Sequence, residues 1–369
     1  AEINLKRHDL VNMNMARQAG APVILIGDID KGGVFAWLVG TLELLSKEER
    51  KMIKGIIINK FRGDKSLLTP AIKFLERRLG IKVLGVVPYF KDIELPEEDS
   101  VCLDGKIPAG KSGINEKCID VAVIKLPHIS NFTDFDAIEK ENDVKLRYVK
   151  NSQELNSPDL IIIPGTKNTI SDLKYLETSG LAAGIISRVG SGSSTFLLGI
   201  CGGYQMLGNK ISDKHNLESD AREVDGLGLL PIRTRLATDK ILSQVKARET
   251  TSGTEVSGYE IHHGLSACEG TPNPFFEIVE RNGKKIKCPD GFRRKDGHVL
   301  GTYIHGLFDA DSFRRAFLNK IRQSKGWQPL SQKKHFDQDG EFDKLAQLLR
   351  ENLNMKALYG LVKVCSHGN

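Results

Sequence analysis

Helical and strand patterns alternate through the first 96 residues. The predicted helices are residues 9–20, 34–45 and 67–80, and the predicted strands are residues 22–30, 53–61 and 82–90. Apolar strands separated by helices are typical of a parallel sheet covered on both faces. Because the first predicted element is a helix with no strand before it, we expect the N-terminal part of this domain to be absent from the chain.

A second α/β pattern begins after residue 117. Residues 97–117 are acidic and contain several Gly and Pro, which predicts a linker between two domains. Strands are predicted at residues 118–127, 144–150, 159–165 and 195–201, with a helix at residues 169–180. Residues 225–305 predict short strands, residues 313–369 predict a helical tail, and the second domain is expected to span residues 118–312.

Composition narrows the function classes. No stretch approaches the roughly 20 apolar residues of a membrane span, and the first residues do not have the pattern of a secretory signal, so we expect a cytoplasmic protein. The net charge of +6 is spread along the chain, which argues against nucleic-acid binding. The six cysteines contain no CxxC pair, so neither a zinc site nor a disulfide framework is indicated, and any metal site is unknown.

The sequence LLGICGGYQMLG, residues 197–208, has the pattern of a nucleophile elbow. An apolar strand runs into Cys201, and glycines at 199 and 203 permit a tight turn before a helix whose N-terminus favours a thiolate. This predicts a reactive cysteine. The alternative is a buried structural cysteine in a strand-to-helix turn.

Acyl transfer also needs donors for an oxyanion and a base for the thiol. The backbone N–H of Gly202 follows the nucleophile, and Gly165 in IPGTKN is the second donor, unless it serves only as an ordinary turn. His305, in GTYIHGLF, is the predicted base because it ends a strand. His262 and His263 are competing candidates for this base. They line a glutamine pocket or a domain interface, unless they are structural.

These motifs carry a family resemblance. The segments GICGGYQMLG, PGTKN and GTYIHGLF resemble the glutaminase domain of the amidotransferase group formed by cobyric acid synthases and cobyrinic acid diamide synthases. Upstream, APVILIGDIDKGGVFA, GIIINKFRGD, VLGVVPYF and LPEEDSV are similar to the cobyric acid synthase family. The resemblance covers nearly the whole chain.

The resemblance implies an α/β fold with two doubly wound parallel-sheet domains. The first is part of a P-loop domain similar to dethiobiotin synthetase, and the second is a flavodoxin-like class I glutaminase domain. It implies amidation of the b, d, e and g carboxylates of adenosylcobyrinic acid a,c-diamide, with ATP and Mg²⁺ for the complete enzyme and no cofactor for the glutaminase step. Glutamine and a corrinoid are then the substrates, and Gly203 and Gln205 join the glutamine-binding set.

Two departures from related families leave roles open. Other class I amidotransferases have Glu two residues after the histidine, where this chain has Leu307, so the group that orients His305 is open and Glu260 is one candidate. We expect the chain to lack the P-loop and its GxxxxGK[ST] motif, and a separate partner chain would then carry them.

Four residues of the first domain remain for the synthetase side. Asp28, Asp30 and Lys31 would approach metal, phosphate or corrinoid, or else form a capped turn, and Asn59 would bind adenine. We therefore expect glutaminase activity from this chain but no complete ATP-dependent amidation. The alternatives are a cobyrinic acid a,c-diamide synthase, a glutaminase subunit of another ligase, and a non-catalytic remnant.

Overall fold

The computed structural model describes residues 10–90, 92–93, 117–190, 192–331 and 338–365. The chain divides into two compact units, one formed by residues 1–95 and 337–369 and the other by residues 96–336. The predicted linker lies outside the described residues except for residue 117.

Three parallel strands form the sheet of the first unit, in the order β1-β2-β3. The elements up to residue 90 are α1 (Asn12–Gln18), β1 (Val23–Asp28), α2 (Val34–Leu44), α3 (Lys47–Met52), β2 (Ile53–Phe61), a 3-10 helix (Lys65–Leu68), α4 (Thr69–Leu79) and β3 (Val83–Pro88). The predicted strands and helices are confirmed, and α3 is an addition. Ser46 and Glu49 form a capping box that begins α3, a local signal in the sequence.

The second unit contains a six-stranded, mainly parallel sheet. Its first elements are β4 (Ile119–Ile124), a 3-10 helix (Phe132–Phe135), α5 (Asp136–Glu139), β5 (Val144–Val149), β6 (Leu160–Ile163), α6 (Thr169–Thr178), α7 (Leu181–Arg188), β7 (Phe196–Ile200) and α8 (Gly202–Met206). Every residue of β6 and β7, two interior strands of this sheet, is buried, which is typical of a parallel sheet covered on both faces. This is why continuous apolar runs predicted these strands.

A mainly antiparallel sheet follows in the same unit. Its strands are β8 (Lys210–Ser212), β9 (Glu223–Asp225), β10 (Ile232–Glu249), β11 (Glu255–Cys268), β12 (Phe276–Arg281), β13 (Lys284–Asp290) and β16 (Ile304–His305). Two further strands, β14 (Phe292–Arg293) and β15 (Val299–Thr302), join the parallel sheet. The parallel sheet has the order β14-β15-β7-β6-β4-β5, and the antiparallel sheet has the order β13-β12-β10-β11-β16.

The prediction of short strands was wrong for β10 and β11, which have 18 and 14 residues. Burial alternates along much of both strands, because one face is packed and the other faces water. Many positions in these two strands are therefore polar, and they lack the continuous apolar runs that predicted the buried strands of the parallel sheet.

Three helices end the chain. They are α9 (Asp311–Ser324), α10 (Gln338–Asn352) and α11 (Met355–Cys365). Helix α9 belongs to the second unit, whereas α10 and α11 return to the first, where Leu348 and Leu353 pack against Leu84 and Val87 of β3. The region predicted as one helical tail is thus divided between the units.

Candidate active site

Cys201 occupies a strained turn between β7 and α8. Its backbone has φ 52° and ψ −110°, a conformation that is costly for a residue with a side chain and is typical of functional turns. Gly199 and Gly203 make the turn possible: a Cβ on Gly199 would lie 2.7 Å from the carbonyl oxygen of Gly203, and one on Gly203 would overlap that of Ile163. The glycine spacing in the sequence therefore reflects close backbone packing around the nucleophile.

The loop after β6 and the end of strand β16 bring Gly165 and His305 to the same point. A Cβ added to Gly165 would lie 3.0 Å from His305 Cε1 and 3.7 Å from Cys201 Cβ. The sulfur of Cys201 is 3.5 Å from the backbone oxygen of Ile261 in β11. Residues far apart in the chain thus converge at the carboxyl end of the parallel sheet.

His305 is held by a buried carboxylate. Its Nδ1 lies 2.7 Å from Oδ2 of Asp134, whose Oδ1 accepts a hydrogen bond of 2.9 Å from the backbone N–H of Gly306. The Tyr259 ring stacks on the imidazole with centroids 5.2 Å apart. Burial lowers the pKa of His305, but the Asp134 carboxylate and the Cys201 thiol raise it from 6.5 to about 10.

Asp134 is the group that the sequence did not identify. It lies in the 3-10 helix Phe132–Phe135, and its side chain is 2% exposed. Glu260, the candidate from the sequence, instead pairs with Arg281, whose Nε lies 3.0 Å from Oε2. The only local signal for Asp134 is its place in the loop after β4, at the sheet edge where parallel strands end.

A cavity of about 250 Å³ opens beside Cys201. Its lining comes from the loops after β4, β6 and β8, the start of α6, the elbow, and the β10–β11 pair: Ser130, Asn131, Thr166, Lys167, Thr169, Cys201, Gly202, Gln205, Glu218, Leu236, Lys240, Ile261, His262, His263 and Gly264. Gln205 accepts a hydrogen bond of 3.1 Å from Thr169 and donates one of 3.3 Å to Tyr303. The lining includes Gly202 and Gln205 from the predicted set, whereas Gly203 serves the backbone turn.

Charged side chains of both signs line this cavity. The carboxylate of Glu218 accepts hydrogen bonds from the backbone N–H of Ile170 at 3.1 Å and from the Thr169 hydroxyl at 3.4 Å. Burial raises the pKa of Glu218, and these hydrogen bonds oppose the increase. Lys167 and Lys240 contribute positive charge to the same lining. The cavity therefore offers partners for both charges of a free amino acid.

His262 and His263 also line the cavity, which agrees with the first of their two interpretations. Nδ1 of His262 lies 2.7 Å from the backbone oxygen of Gly264, and Nδ1 of His263 lies 3.1 Å from that of Ala237. Neither forms the contact with a carboxylate that His305 makes through Nδ1.

The polar residues predicted in the first unit lie together at the carboxyl ends of β1 and β2. Lys60 Nζ is 2.9 Å from Oδ2 of Asp28, and Arg62 Nε is 2.6 Å from Oδ1 of Asp30. Asn59 accepts a hydrogen bond from the backbone N–H of Lys60. The Lys60 ammonium lowers the pKa of Asp28. Both carboxylates are thus paired with cations, and Lys31 is exposed.

Comparison with known proteins identifies the family. A family model described as a CobB/CobQ-like glutamine amidotransferase domain matches residues 120–313. A cobyric acid synthase from Dehalococcoides mccartyi is 48% identical over 98% of this chain and 71% of its own length. One from Clostridium botulinum is 47% identical over 98% of this chain and 72% of its own length.

The chain belongs to the cobyric acid synthase family. It is therefore an enzyme of the glutamine amidotransferase group. A family model described as an AAA domain matches residues 4–97, which indicates a nucleotide-binding origin for the first unit. This match gives no support to a separate chain that carries the P-loop.

The P-loop pattern does occur once in the full sequence. Residues 105–112, GKIPAGKS, match GxxxxGK[ST], so the expectation that the chain lacks this motif was wrong. A functional P-loop joins a buried strand to a helix, and the preceding residues PEEDSVCLD do not have the pattern of a buried strand. These residues lie outside the part of the chain that the structure describes, and within that part no group of three or more His, Cys, Asp or Glu side chains could hold a metal ion.

Two solved structures resemble part of the chain. PurLQS from Thermotoga maritima is 19% identical, with a TM-score of 0.42, and the match covers 55% of this chain and 99% of that one. A structure described as a glutamine amidotransferase is 17% identical, with a TM-score of 0.41.

Among the described residues, every helix is too short or too polar to cross a bilayer.

Proposed function

We propose that this chain hydrolyses glutamine at Cys201 and supplies the ammonia for amidation of corrinoid carboxylates. One observation carries the proposal: Cys201, His305 and Asp134 converge beside a cavity of about 250 Å³. A nucleophile, a base and a group that orients the base are the parts that acyl transfer requires.

Attack begins with the Cys201 sulfur as the nucleophile. With a pKa of about 10, His305 carries a proton at neutral pH, and a cation beside a cysteine favours the nucleophilic thiolate. The thiolate adds to the side-chain carbonyl carbon of glutamine. His305 then gives its proton to the departing nitrogen, and Asp134 holds the ring in the orientation that this transfer needs. Water hydrolyses the thioester to glutamate.

The oxyanion is assigned to the backbone N–H groups of Gly202 and Gly165. Gly202 is the first residue of α8, so its N–H has no partner within the helix and is directed to the helix N-terminus beside Cys201. Gly165 lies between Cys201 and His305, and its lack of a side chain leaves room for a carbonyl group there. Donors in this position stabilise charge that develops in the transition state.

The two charged groups of free glutamine fit the rest of the cavity. The ammonium group pairs with Glu218, which is already oriented by two hydrogen bonds at the start of α6. The carboxylate pairs with Lys240 or Lys167. Recognition of both charges favours free glutamine over a glutamine side chain within a protein.

The amidation half of the reaction is proposed from family membership. The acceptors are the b, d, e and g carboxylates of adenosylcobyrinic acid a,c-diamide, the product is cobyric acid, and the complete enzyme uses ATP and Mg²⁺. The described residues do not form a site for Mg²⁺, because Asp28 and Asp30 are paired with Lys60 and Arg62. We therefore derive no step of the amidation through these residues.

Glutamate release from glutamine tests the glutaminase proposal. The purified chain and its Cys201→Ala variant would be assayed side by side, with and without ATP. Release that depends on Cys201 supports the proposal. No release from either protein would overturn it for this chain and favour the non-catalytic alternative. Formation of cobyric acid from the diamide, ATP and glutamine would test the second half separately.

A further inference from the structure

His262 presents a buried nitrogen that no other part of the site uses. The side chain is 4% exposed and lines the same cavity as Cys201 and Gln205. Among the described residues, its Nε2 is buried and has no hydrogen-bond partner. An unpaired buried polar atom is unfavourable, so an incoming group that pairs with it gains free energy on binding.

Two contacts determine what this nitrogen can do. Nδ1 lies 2.7 Å from the Gly264 backbone oxygen, and a carbonyl oxygen can only accept, so Nδ1 carries the hydrogen. In the neutral ring, Nε2 is then an acceptor. The ring stacks on Tyr303 with centroids 3.8 Å apart and planes 17° apart, and this packing together with the contact of Nδ1 to Gly264 holds the ring in its orientation.

The nearby carboxylate of Glu260 does not form a hydrogen bond with Nε2 of His262. Oε1 of Glu260 is 3.9 Å away, which is beyond hydrogen-bond distance. Both carboxylate oxygens of Glu260 accept hydrogen bonds from Arg281. Nε2 therefore has no hydrogen-bond partner among the described residues, and it belongs to a side chain that lines the cavity.

We propose that Nε2 of His262 accepts a hydrogen bond from the carboxamide NH₂ of glutamine, and that this contact selects an amide over an ester or an acid. The inference rests on the proposed glutaminase function and deepens it. The oxyanion donors bind the carbonyl oxygen and His305 protonates the nitrogen, so an N–H of the amide still needs an acceptor. The product carboxylate has no such hydrogen, which favours release of glutamate.

Two variants separate this role from a structural one. Asn at position 262 can retain the donor that reaches Gly264 but places no group at Nε2, whereas Gln extends far enough to place an amide oxygen there. The substrates would be L-glutamine and L-glutamate γ-methyl ester, which Cys201 converts to the same thioester. The ester releases methanol and has no N–H on its leaving group.

His262→Asn should lower kcat/KM for glutamine by about 10- to 100-fold and lower that for the ester by less than about 3-fold. His262→Gln should recover at least part of the loss for glutamine. Equal losses for both substrates, or no loss for glutamine, would overturn the assignment of His262. If the Asn variant does not fold, as judged by circular dichroism, His262→Ala takes its place in the same comparison of the two substrates.

The parent chain and Cys201→Ala keep the two proposals distinguishable. If neither substrate is hydrolysed in a Cys201-dependent manner, both the glutaminase proposal and this one fail. If both substrates are hydrolysed and His262→Asn does not change their ratio, only the role of His262 is refuted.

Discussion

Replacement of Asp134 by Asn tests the central contact of the site. The change removes the charge that lies 2.7 Å from Nδ1 of His305, while it keeps the size of the side chain. Asp134 and Cys201 together raise this pKa from 6.5 to about 10 against the effect of burial, and this difference corresponds to roughly 5 kcal/mol. Without the carboxylate, His305 should be neutral at pH 7.5 and should lack the proton that ammonia needs.

We expect kcat for glutamine hydrolysis to fall by about 10²- to 10⁴-fold in Asp134→Asn. The wild-type rate should decline at high pH only near pH 10, where His305 loses its proton. In the variant this decline should begin several pH units lower. Initial rates of glutamate release between pH 5.5 and 10.5 measure both effects.

Glu260→Gln is the matched control, because Glu260 pairs with Arg281 instead of His305. It should lower the unfolding temperature and leave kcat for the folded fraction within about 3-fold. The reasoning is refuted if Asp134→Asn keeps the wild-type rate and pH profile, or if both variants lose activity equally.

Stability gives a second measure of the same pair. A raised pKa in the folded state means that protonated His305 stabilises the fold fully below about pH 6.5, and that this contribution is lost as the pH rises through about 10. The difference in unfolding free energy between wild type and Asp134→Asn should therefore be larger at pH 6.5 than at pH 10. Urea unfolding at the two pH values tests this.

Three further changes have distinct expected results. Gly203→Ala should destabilise the fold by at least about 3 kcal/mol in urea unfolding, because the added Cβ would overlap the Ile163 carbonyl oxygen. Gly190→Ala is the control: the nearest atom to its Cβ is 3.6 Å away, so stability should change by less than about 1 kcal/mol. Glu218→Gln should raise KM for glutamine by about 10-fold or more and change kcat little, because it removes the proposed partner of the ammonium group; an unchanged KM would exclude that pairing. Burial raises the pKa of Asp290 from 3.8 to about 6, so its contribution to stability is lost as the pH rises through this range. Asp290→Asn should therefore gain roughly 3 kcal/mol relative to wild type between pH 4 and pH 7 in urea unfolding, and an equal difference at both pH values would contradict this.

The sequence by itself determined the parallel sheets and the strand-to-helix turn that carries Cys201. Residues 160–163 and 196–200 are apolar throughout, and only a strand buried on both faces accommodates such runs at that length. The glycines around Cys201 identified the elbow, because close backbone packing leaves no room for side chains at 199 and 203. These features depend on neighbours in the chain, so a local pattern is sufficient to predict them.

Only the tertiary structure decided what completes the site. Asp134 and His305 are 171 residues apart, and the sheet brings them together without any local pattern that marks the pair. Glu260 was a reasonable candidate by sequence, but the pairing of β11 with its neighbours gives it to Arg281. The unpaired nitrogen of His262 was also visible only in the tertiary structure, because packing determines its burial and its lack of a partner among the described residues. Local patterns determine elements, whereas contacts between distant segments determine which side chains meet.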